Sequence, residues 1–239
     1  MKGIILSGGS GTRLYPLTKV TSKQLLPVYD KPMINYPLQT LLSGGITDIL
    51  IIVAPDHAGD YLKYLGSGKD FGARFTYEIQ DKPEGLAQAL LIAESFMDKE
   101  PVALILGDNI YEDDFSEIIK NFKRGAQIFV KEVHDPERFG VVKFDEQMNA
   151  LEIVEKPKDF VSNYAQTGLY LYDHTVLEKA KSLKPSPRGE LEITDLNNLF
   201  LKEGKLKVGI VKGEWIDAGT IDALYKANEL IYKKNQKNQ

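Results

Sequence analysis

Short apolar segments alternate with amphipathic segments through the first half of the chain. The apolar segments are rich in Ile, Leu and Val, as expected of strands buried on both faces. Between them, Gly85–Met97 places Leu86, Leu90, Ala93 and Met97 on one helical face. The alternation predicts βαβ units, in which helices cover a parallel sheet. The predicted strands are Lys2–Leu6, Asp48–Val53, Arg74–Ile79 and Val102–Leu106, and the helices are Met33–Ser43, His57–Leu65 and Gly85–Met97.

The second half is less regular, and some of its segments alternate between polar and apolar residues. We therefore predict one mixed α/β domain over residues 1–239. The polar segment Lys233–Gln239 is expected to fray. The strands predicted here are Gln127–Val133, Gly140–Phe144, Ala150–Val154, Gly168–Tyr172 and Leu206–Val211, and the helices are His174–Ser182, Leu191–Glu203 and one from about Ile221.

Composition removes several classes of function. Apolar residues make up 43% and charged residues 27% of the 239 residues, which is typical of a globular protein. The chain has no cysteine, so disulfides, thiolate metal sites and cysteine nucleophiles are excluded. The net charge of −4 gives no general attraction to nucleic acid. We find no signal-peptide pattern and no apolar run of the roughly 18 to 20 residues that would span a membrane, so we expect a cytoplasmic protein.

A glycine-rich loop follows the first predicted strand. Its glycines let backbone N–H groups approach phosphate oxygens, and two cations, Arg13 and Lys23, lie near it in sequence. The loop lacks the Walker A spacing, and Leu14 stands where a dinucleotide fingerprint needs its third glycine. A plain strand-to-helix turn is the structural alternative. The loop consists of Gly8, Gly9, Ser10, Gly11, Thr12 and Arg13.

Two carboxylates are candidates for a metal site. Asp108 follows the buried strand Val102–Leu106, at the sheet edge where α/β proteins bind ligands. Asp217 precedes the last helix. Each has a structural alternative, a strand-end turn for Asp108 and a helix N-cap for Asp217. Together, beside a phosphate loop, they suit Mg²⁺, which is held by one or two carboxylates and by substrate phosphates.

The order of motifs along almost the whole chain resembles the sugar-nucleotide pyrophosphorylases, most closely those that use dTTP. So many matches in order are more specific than any one motif. The matching segments are Gly8–Leu14, Lys23–Pro27, Gln80, Gly85–Ala89, Gly107–Ile110, Asp135–Val141, Glu155–Pro157, Thr167–Tyr170, Arg188–Asp195 and Trp215–Thr220.

The resemblance implies a Rossmann-like, mostly parallel sheet flanked by helices and a Mg²⁺-assisted reaction of dTTP with glucose 1-phosphate. It implies that residues up to about 110 bind nucleotide, and that residues 111–232 bind sugar and complete the metal site. It also implies a homo-oligomer, dimer or tetramer. The implied nucleotide-binding residues are Leu6, Gly8, Gly9, Ser10, Gly11, Thr12, Arg13, Gln24, Gln80, Pro83, Gly85 and Asp108.

On the sugar side, the resemblance implies that Lys156 binds the sugar phosphate and Glu155 the sugar hydroxyls. In isolation, this Glu-Lys pair would be a solvated surface pair. The implied catalytic residues are Arg13, Lys23 and Lys156. The implied metal ligands are Asp108 and Asp217. The implied sugar-phosphate-binding residues are Leu106, Asn109, Gly140, Glu155, Lys156, Gln166, Thr167 and Tyr170.

Base choice depends on Gln80, whose amide offers both donors and an acceptor. Either face of that amide could read a pyrimidine, and the resemblance implies that the Gly85 peptide removes this ambiguity. We expect dTTP to be preferred and UTP to react more slowly, because a single methyl group supplies only about 1–3 kcal/mol of discrimination.

Three alternatives stay open: a uridylyltransferase, a non-catalytic sugar-nucleotide sensor, and a dinucleotide-dependent oxidoreductase. The sequence also departs from the family pattern. Phe139 stands where many members have tyrosine, and Gln166 where many have valine. Many members continue beyond the last helix into a segment that contributes to a regulatory site, so feedback control is not expected here.

Overall fold

The computed structural model describes residues 1–9 and 11–237. The strands are β1 (Lys2–Ser7), β2 (Pro27–Val28), β3 (Lys31–Pro32), β4 (Asp48–Val53), β5 (Arg74–Ile79), β6 (Val102–Leu106), β7 (Asn109–Tyr111), β8 (Ala126–Glu132), β9 (Gly140–Phe144), β10 (Ala150–Glu155), β11 (Tyr164–Tyr172), β12 (Leu206–Ile210) and β13 (Trp215–Asp217). The helices are α1 (Asn35–Ser43), α2 (Ala58–Leu65), α3 (Gln88–Ile92), α4 (Glu94–Met97), α5 (Ser116–Asn121), α6 (Val176–Ser182), α7 (Ile193–Lys202) and α8 (Ile221–Lys237).

The central sheet runs in the order β10-β9-β11-β6-β1-β4-β5. β6, β1, β4 and β5 are parallel, and they come from the half of the chain where strands and helices alternate. β11 joins antiparallel to β6 and also pairs with β8, which in turn pairs parallel with β12. The predicted fold class, a mostly parallel mixed sheet flanked by helices, is confirmed.

The apolar strands divide their side chains between two cores, one on each face of the sheet. In β1, Ile4 belongs to one core and Ile5 to the other, and both are fully buried. In β4, Leu50 and Ile51 divide in the same way. This explains why these strands are continuously apolar in sequence, since neither face meets water.

A smaller structure covers one end of the main sheet. β7 pairs antiparallel with β13, so that Asn109 lies opposite Asp217. α8 contacts both β13 and the short β2–β3 hairpin, and a third apolar cluster fills the space between them. This pairing brings two distant parts of the chain to the end of β6.

Most predicted elements are confirmed to within a few residues, but two predictions are wrong. The helix predicted at Gly85–Met97 begins only at Gln88 and is interrupted at Ala93, where the backbone has ψ near 1°. Gly85 cannot belong to it because its φ is +107°. The fraying predicted from Lys233 is also wrong, since α8 continues to Lys237; residues 238–239 lie outside the described residues.

The sequence did not predict β2, β3, β7, β13 or α5, which are all between two and six residues long. Such short elements carry too few residues to show a hydrophobic period. In the part of the chain that the structure describes, no helix is long and apolar enough to cross a membrane.

Candidate active site

A cavity of about 570 Å³ opens at the carboxyl ends of β1 and β6, where α/β sheets bind ligands. Strands β9, β10, β11 and β13 supply further wall residues, so both halves of the chain contribute. The predicted site residues that line it are Arg13, Lys23, Leu106, Asp108, Asn109, Gly140, Glu155, Lys156, Gln166, Thr167, Tyr170 and Asp217.

The other predicted residues do not line this cavity. Ser10 lies outside the described residues. Leu6 is buried at the end of β1, and Pro83 is exposed in the turn before Gly85. The residues that lie outside the cavity wall are Leu6, Gly8, Gly9, Gly11, Thr12, Gln24, Gln80, Pro83 and Gly85.

The glycine loop has a backbone that few other residues could adopt. Gly9 and Gly11 have φ values of +98° and +60°, the left-handed region that glycine enters without a steric penalty. The carbonyl of Gly11 accepts hydrogen bonds from Thr18 Oγ1 at 2.8 Å and from the N–H of Leu14 at 2.9 Å. Leu14 is fully buried and anchors the end of the loop. Its neighbour Arg13 faces the cavity.

Gly8 lies against two buried amide side chains. A Cβ at this position would collide with Gln80 Oε1, so the loop and Gln80 are in direct contact. On the other side, Gln24 Nε2 donates to the Gly8 carbonyl at 3.5 Å. Gln24 Oε1 is already occupied, since it accepts from Ser22 Oγ at 2.9 Å and from the Tyr61 hydroxyl at 3.1 Å. Gln24 therefore presents its donor side toward the loop.

The amide orientation of Gln80 is fixed by its neighbours. The backbone N–H of Glu84 can only donate, and it donates to Gln88 Oε1 at 3.0 Å. Gln88 Nε2 consequently donates to Glu84 Oε2 at 2.9 Å. Because Gln88 Oε1 must accept, the group that Gln80 turns toward it at 2.7 Å is Nε2. Gln80 Oε1 is left as an acceptor beside Gly8.

Gly85 is required at its position by both backbone conformation and space. Its φ is +107°, and a Cβ there would come within 2.5 Å of the Leu191 nitrogen. Hydrogen bonds on both sides of Gly85 hold the two segments together: Leu191 N–H donates to the Glu84 carbonyl at 2.7 Å, and Ala87 N–H donates to the Leu191 carbonyl at 3.1 Å. The turn that carries Gly85 is thus attached to the segment before α7.

Asp108 forms an ion pair with Lys23, and the Lys23 ammonium donates a hydrogen bond to Asp108 Oδ2. Burial opposes both charges, but the pairing outweighs it: the pKa of Asp108 is lowered and that of Lys23 is raised. Asp217 has no such partner among the described residues. Burial, and then repulsion from the Asp108 charge, raise the pKa of Asp217 to about 6. The two carboxylates are therefore close enough to repel.

Asn109 connects the cavity to three elements. Its Nδ2 donates to Asp108 Oδ1 at 3.0 Å. Its Oδ1 accepts from the Gly168 N–H at 3.0 Å and from Trp215 Nε1 at 2.7 Å. These bonds tie β7 to β11 and β13, and they orient the Asp108 carboxylate. The resemblance implies only a sugar-phosphate contact for Asn109, and the sequence assigns no role to Trp215.

Glu155, the last residue of β10, and Lys156, which follows it, line the same cavity. Glu155 Oε2 accepts from Thr194 Oγ1 at 2.6 Å, and Glu155 Oε1 accepts from Arg188 Nη1 at 3.2 Å. Lys156 has φ +42°, which is unusual for a residue with a side chain and more so before proline. Such a backbone persists where surrounding contacts hold it, as at binding sites.

Charge in the cavity is balanced between cations and carboxylates. Within the described residues, Arg13 and Lys156 make no ion pair, so their charges are free to meet an anionic ligand. The sequence assigned no role to Arg138, Arg188, Glu190 and Glu192, although all four lie in motifs of the resemblance. The cationic wall residues are Arg13, Lys23, Arg138, Lys156 and Arg188, and the acidic ones are Asp108, Glu155, Glu190, Glu192 and Asp217.

The residues present fit a divalent cation. Asp108 and Asp217 supply the hard oxygen donors that Mg²⁺ prefers, and their mutual repulsion would be relieved by a cation between them. The described residues contain no cluster of three or more metal-ligating side chains. Further ligands would therefore have to come from substrate and water.

Comparison with known proteins identifies a family and several relatives. A model of the nucleotidyl transferase family matches residues 2–234. The glucose-1-phosphate thymidylyltransferase of Neisseria gonorrhoeae is 54% identical over 237 residues, which cover 97% of this chain and 82% of that protein. The protein of the same name from Mycolicibacterium smegmatis is 49% identical over 236 residues, with 97% and 82% covered.

Two solved structures are also similar to this chain over nearly its whole length. A Bacillus anthracis structure, assigned as a glucose-1-phosphate thymidylyltransferase and solved with sucrose, matches with a TM-score of 0.91 and 52% identity, covering 96% of this chain and 94% of that one. A UDP-glucose pyrophosphorylase bound to UDP-glucose matches with a TM-score of 0.86 and 25% identity, covering 98% of each chain.

Proposed function

The chain belongs to the nucleotidyl transferase family, and we propose that it joins dTTP to glucose 1-phosphate, forming dTDP-glucose and releasing pyrophosphate. One observation carries the proposal. Arg13 and the acidic pair Asp108 and Asp217 open into the same cavity as Glu155 and Lys156. A triphosphate held on the first side would thus meet a sugar phosphate held on the second.

The reaction needs positioning more than acid–base catalysis. The phosphate oxygen of glucose 1-phosphate is already an anion when it attacks the α-phosphorus of dTTP in line, so no general base is required. The barrier comes from bringing two anions together and from charge on the leaving pyrophosphate. Arg13 and the loop N–H groups bind the triphosphate and stabilise the leaving group. Lys156 holds the attacking phosphate.

Asp108 and Asp217 would hold Mg²⁺, which, when bound, neutralises phosphate charge and polarises the phosphorus–oxygen bonds. The equal numbers of cations and carboxylates in the wall support this assignment. The protein alone supplies no surplus of positive charge for two phosphate groups. The charges of Asp108, Asp217 and Arg13 all act on the Lys23 ammonium, which supports a role for Lys23 near the same phosphates.

The fixed amide of Gln80 supports a base of the thymine type. Its Oε1, which accepts no hydrogen bond from the described residues, would receive the N3–H of thymine or uracil, whereas cytosine has no hydrogen at that nitrogen. Gln80 has no feature that separates thymine from uracil. The preference for dTTP over UTP rests on relatives named for thymidylyl transfer, and we expect UTP to react more slowly.

The test is a matrix of nucleoside triphosphates against sugar 1-phosphates, read as pyrophosphate release with and without Mg²⁺. We expect the fastest release with dTTP and glucose 1-phosphate, less with UTP, and little with dCTP, ATP or GTP. Faster release with UTP would establish the uridylyltransferase alternative. Binding of dTDP-glucose without release from any pair would establish the sensor. Substantial release without Mg²⁺ would contradict the metal assignment.

The division of the chain into two binding parts and its oligomeric state are further proposals. We propose that residues up to about 110 bind the nucleotide and that residues 111–232 bind the sugar phosphate, in one domain. We also propose a homo-oligomer, dimer or tetramer, which light scattering of the purified protein would check.

A further inference from the structure

Four buried polar side chains form a continuous hydrogen-bonded chain that leads to the cavity, and one of them, Gln166, also lines it. Gln166 and Tyr172 lie on β11, and Thr194 and Asn197 lie on α7. All four are between 0% and 5% exposed. The chain ends at Glu155, which faces the cavity. Polar groups this deeply buried are costly unless every one is paired.

All four hydrogen bonds are donated in the same direction, from Tyr172 toward Glu155. The Tyr172 hydroxyl donates to Asn197 Oδ1 at 2.7 Å, and Asn197 Nδ2 donates to Gln166 Oε1 at 2.7 Å. Gln166 Nε2 then donates to Thr194 Oγ1 at 2.9 Å. The Thr194 hydroxyl donates in turn to Glu155 Oε2 at 2.6 Å.

The carboxylate at the end determines this direction. An ionised carboxylate can only accept, so Thr194 must donate to it. Thr194 has a single hydroxyl hydrogen, so its oxygen must accept from Gln166, and the amides of Gln166 and Asn197 can each be oriented in only one way. Hydrogen bonds aligned in this manner polarise one another. Glu155 is thereby held by a chain whose first donor is the Tyr172 hydroxyl.

Space around the carboxylate is equally restricted. Gly140 lies opposite Glu155 in the β9–β10 ladder, and a Cβ there would collide with Gln166 Nε2 and come within 2.6 Å of Thr194 Oγ1. Arg188 contacts the other oxygen of Glu155 at 3.2 Å. Among the residues that the structure describes, each carboxylate oxygen thus has one donor, and it retains capacity for a ligand hydroxyl.

We propose that Tyr172, Asn197, Gln166 and Thr194 are positioning residues that aim Glu155 at one hydroxyl of the sugar, and so set which sugar 1-phosphates this chain accepts. Gln166 is central, because its amide both donates to Thr194 and accepts from Asn197, and an aliphatic side chain could do neither. The proposal rests on the proposed function, since it assigns a role in binding the sugar phosphate.

The experiment compares glucose 1-phosphate with its 2-, 3-, 4- and 6-deoxy analogues, using dTTP and reading kcat/KM from pyrophosphate release. Loss of a hydroxyl that meets a charged acceptor should lower kcat/KM roughly 10- to 100-fold in the wild type. We call this loss of kcat/KM with a deoxy analogue the penalty. Glu155→Gln should weaken the penalty for one analogue, and that analogue identifies the hydroxyl that Glu155 contacts. Gln166→Met and Thr194→Val should reduce the penalty for the same analogue to within about threefold, and leave the other penalties unchanged.

Two further variants separate positioning from simple stability. Thr194→Ser retains the hydroxyl and should restore the wild-type penalty. Tyr172→Phe removes only the first donor and preserves the packing, so it should fold even if Gln166→Met does not, and should weaken the same penalty. Tyr77→Phe is the matched control: it also removes a phenol hydrogen bond, 2.6 Å to the Gly66 carbonyl, but outside the chain of bonds.

An unchanged penalty in Gln166→Met, Thr194→Val and Tyr172→Phe would overturn the proposal, whatever their melting temperatures. So would a Glu155→Gln enzyme that keeps every wild-type penalty. Failure of the proposed function would be seen separately, as a wild-type protein that releases no pyrophosphate from dTTP and glucose 1-phosphate.

Discussion

At the residue scale, we expect activity to depend most on the cavity cations that make no ion pair with a described residue. Lys23, Arg138 and Arg188 each contact a carboxylate, whereas Arg13 and Lys156 make no ion pair with any described residue. A cation without a carboxylate partner gives up no ion pair when it binds a phosphate. The sequence could not show which of these cations make ion pairs, because the pairing depends on contacts in the folded chain.

Arg13→Ala should lower kcat at least tenfold. A charge-assisted hydrogen bond has a net value of about 1.5–3 kcal/mol, and about 1.4 kcal/mol corresponds to a factor of ten. The measurement is steady-state pyrophosphate release at saturating dTTP. Arg74→Ala is the control, because Arg74 pairs with Asp48 on the exposed surface at the other end of the sheet. Near-normal release from the Arg13 variant would remove Arg13 from the catalytic residues.

At the element scale, the turn between β5 and α3 joins the proposed nucleotide-binding part to the segment before α7. Gly85→Ala should raise the KM for dTTP and lower the melting temperature. The new Cβ meets the Leu191 backbone, which cannot move aside as a flexible side chain could. Enzyme kinetics and thermal unfolding measure the two effects.

Gly45→Ala is the matched control for that prediction. Gly45 also has a positive φ, +80°, but has open space around its Cβ position. Gly45→Ala should lower the free energy of unfolding by only roughly 1–2 kcal/mol, the cost of a left-handed backbone at a residue with a Cβ. Its KM for dTTP should stay unchanged. Equal changes in KM for both variants would show that contact with Leu191 does not position the nucleotide side.

The longer elements and most of the cavity could be predicted because they depend on local signals. β1, β4 and β6 are continuous apolar runs, and the glycine loop and Asp108 follow two of them directly. β7 and β13 could not be predicted, since three residues show no period and their pairing is decided by contacts about a hundred residues away. The orienting role of Asn109 and the buried bonds of Gln166 depend on the same distant contacts, so they too needed the structure.

At the scale of the whole molecule, ligand binding should stabilise the entire fold, because the cavity joins both halves of the chain. Saturating dTTP with Mg²⁺ at about 100 times its Kd adds about 2.7 kcal/mol. For a chain of this size, that raises the melting temperature by about 5–10 °C. Differential scanning fluorimetry measures the shift. ATP with Mg²⁺, or dTTP after chelation, should give much less, and an equal shift with ATP would contradict the base assignment.

The pairing of β7 with β13 also limits how early during synthesis the cavity can form. Trp215 and Asn109, which bond across this pair, are 106 positions apart. During synthesis at about 5–20 residues per second, Asp217 follows Asp108 from the ribosome by roughly 5–20 s. The parallel strands β1, β4, β5 and β6 are all made before that interval begins. A nascent chain can thus complete the parallel part of its sheet before Asp217, the second proposed metal ligand, has been synthesised.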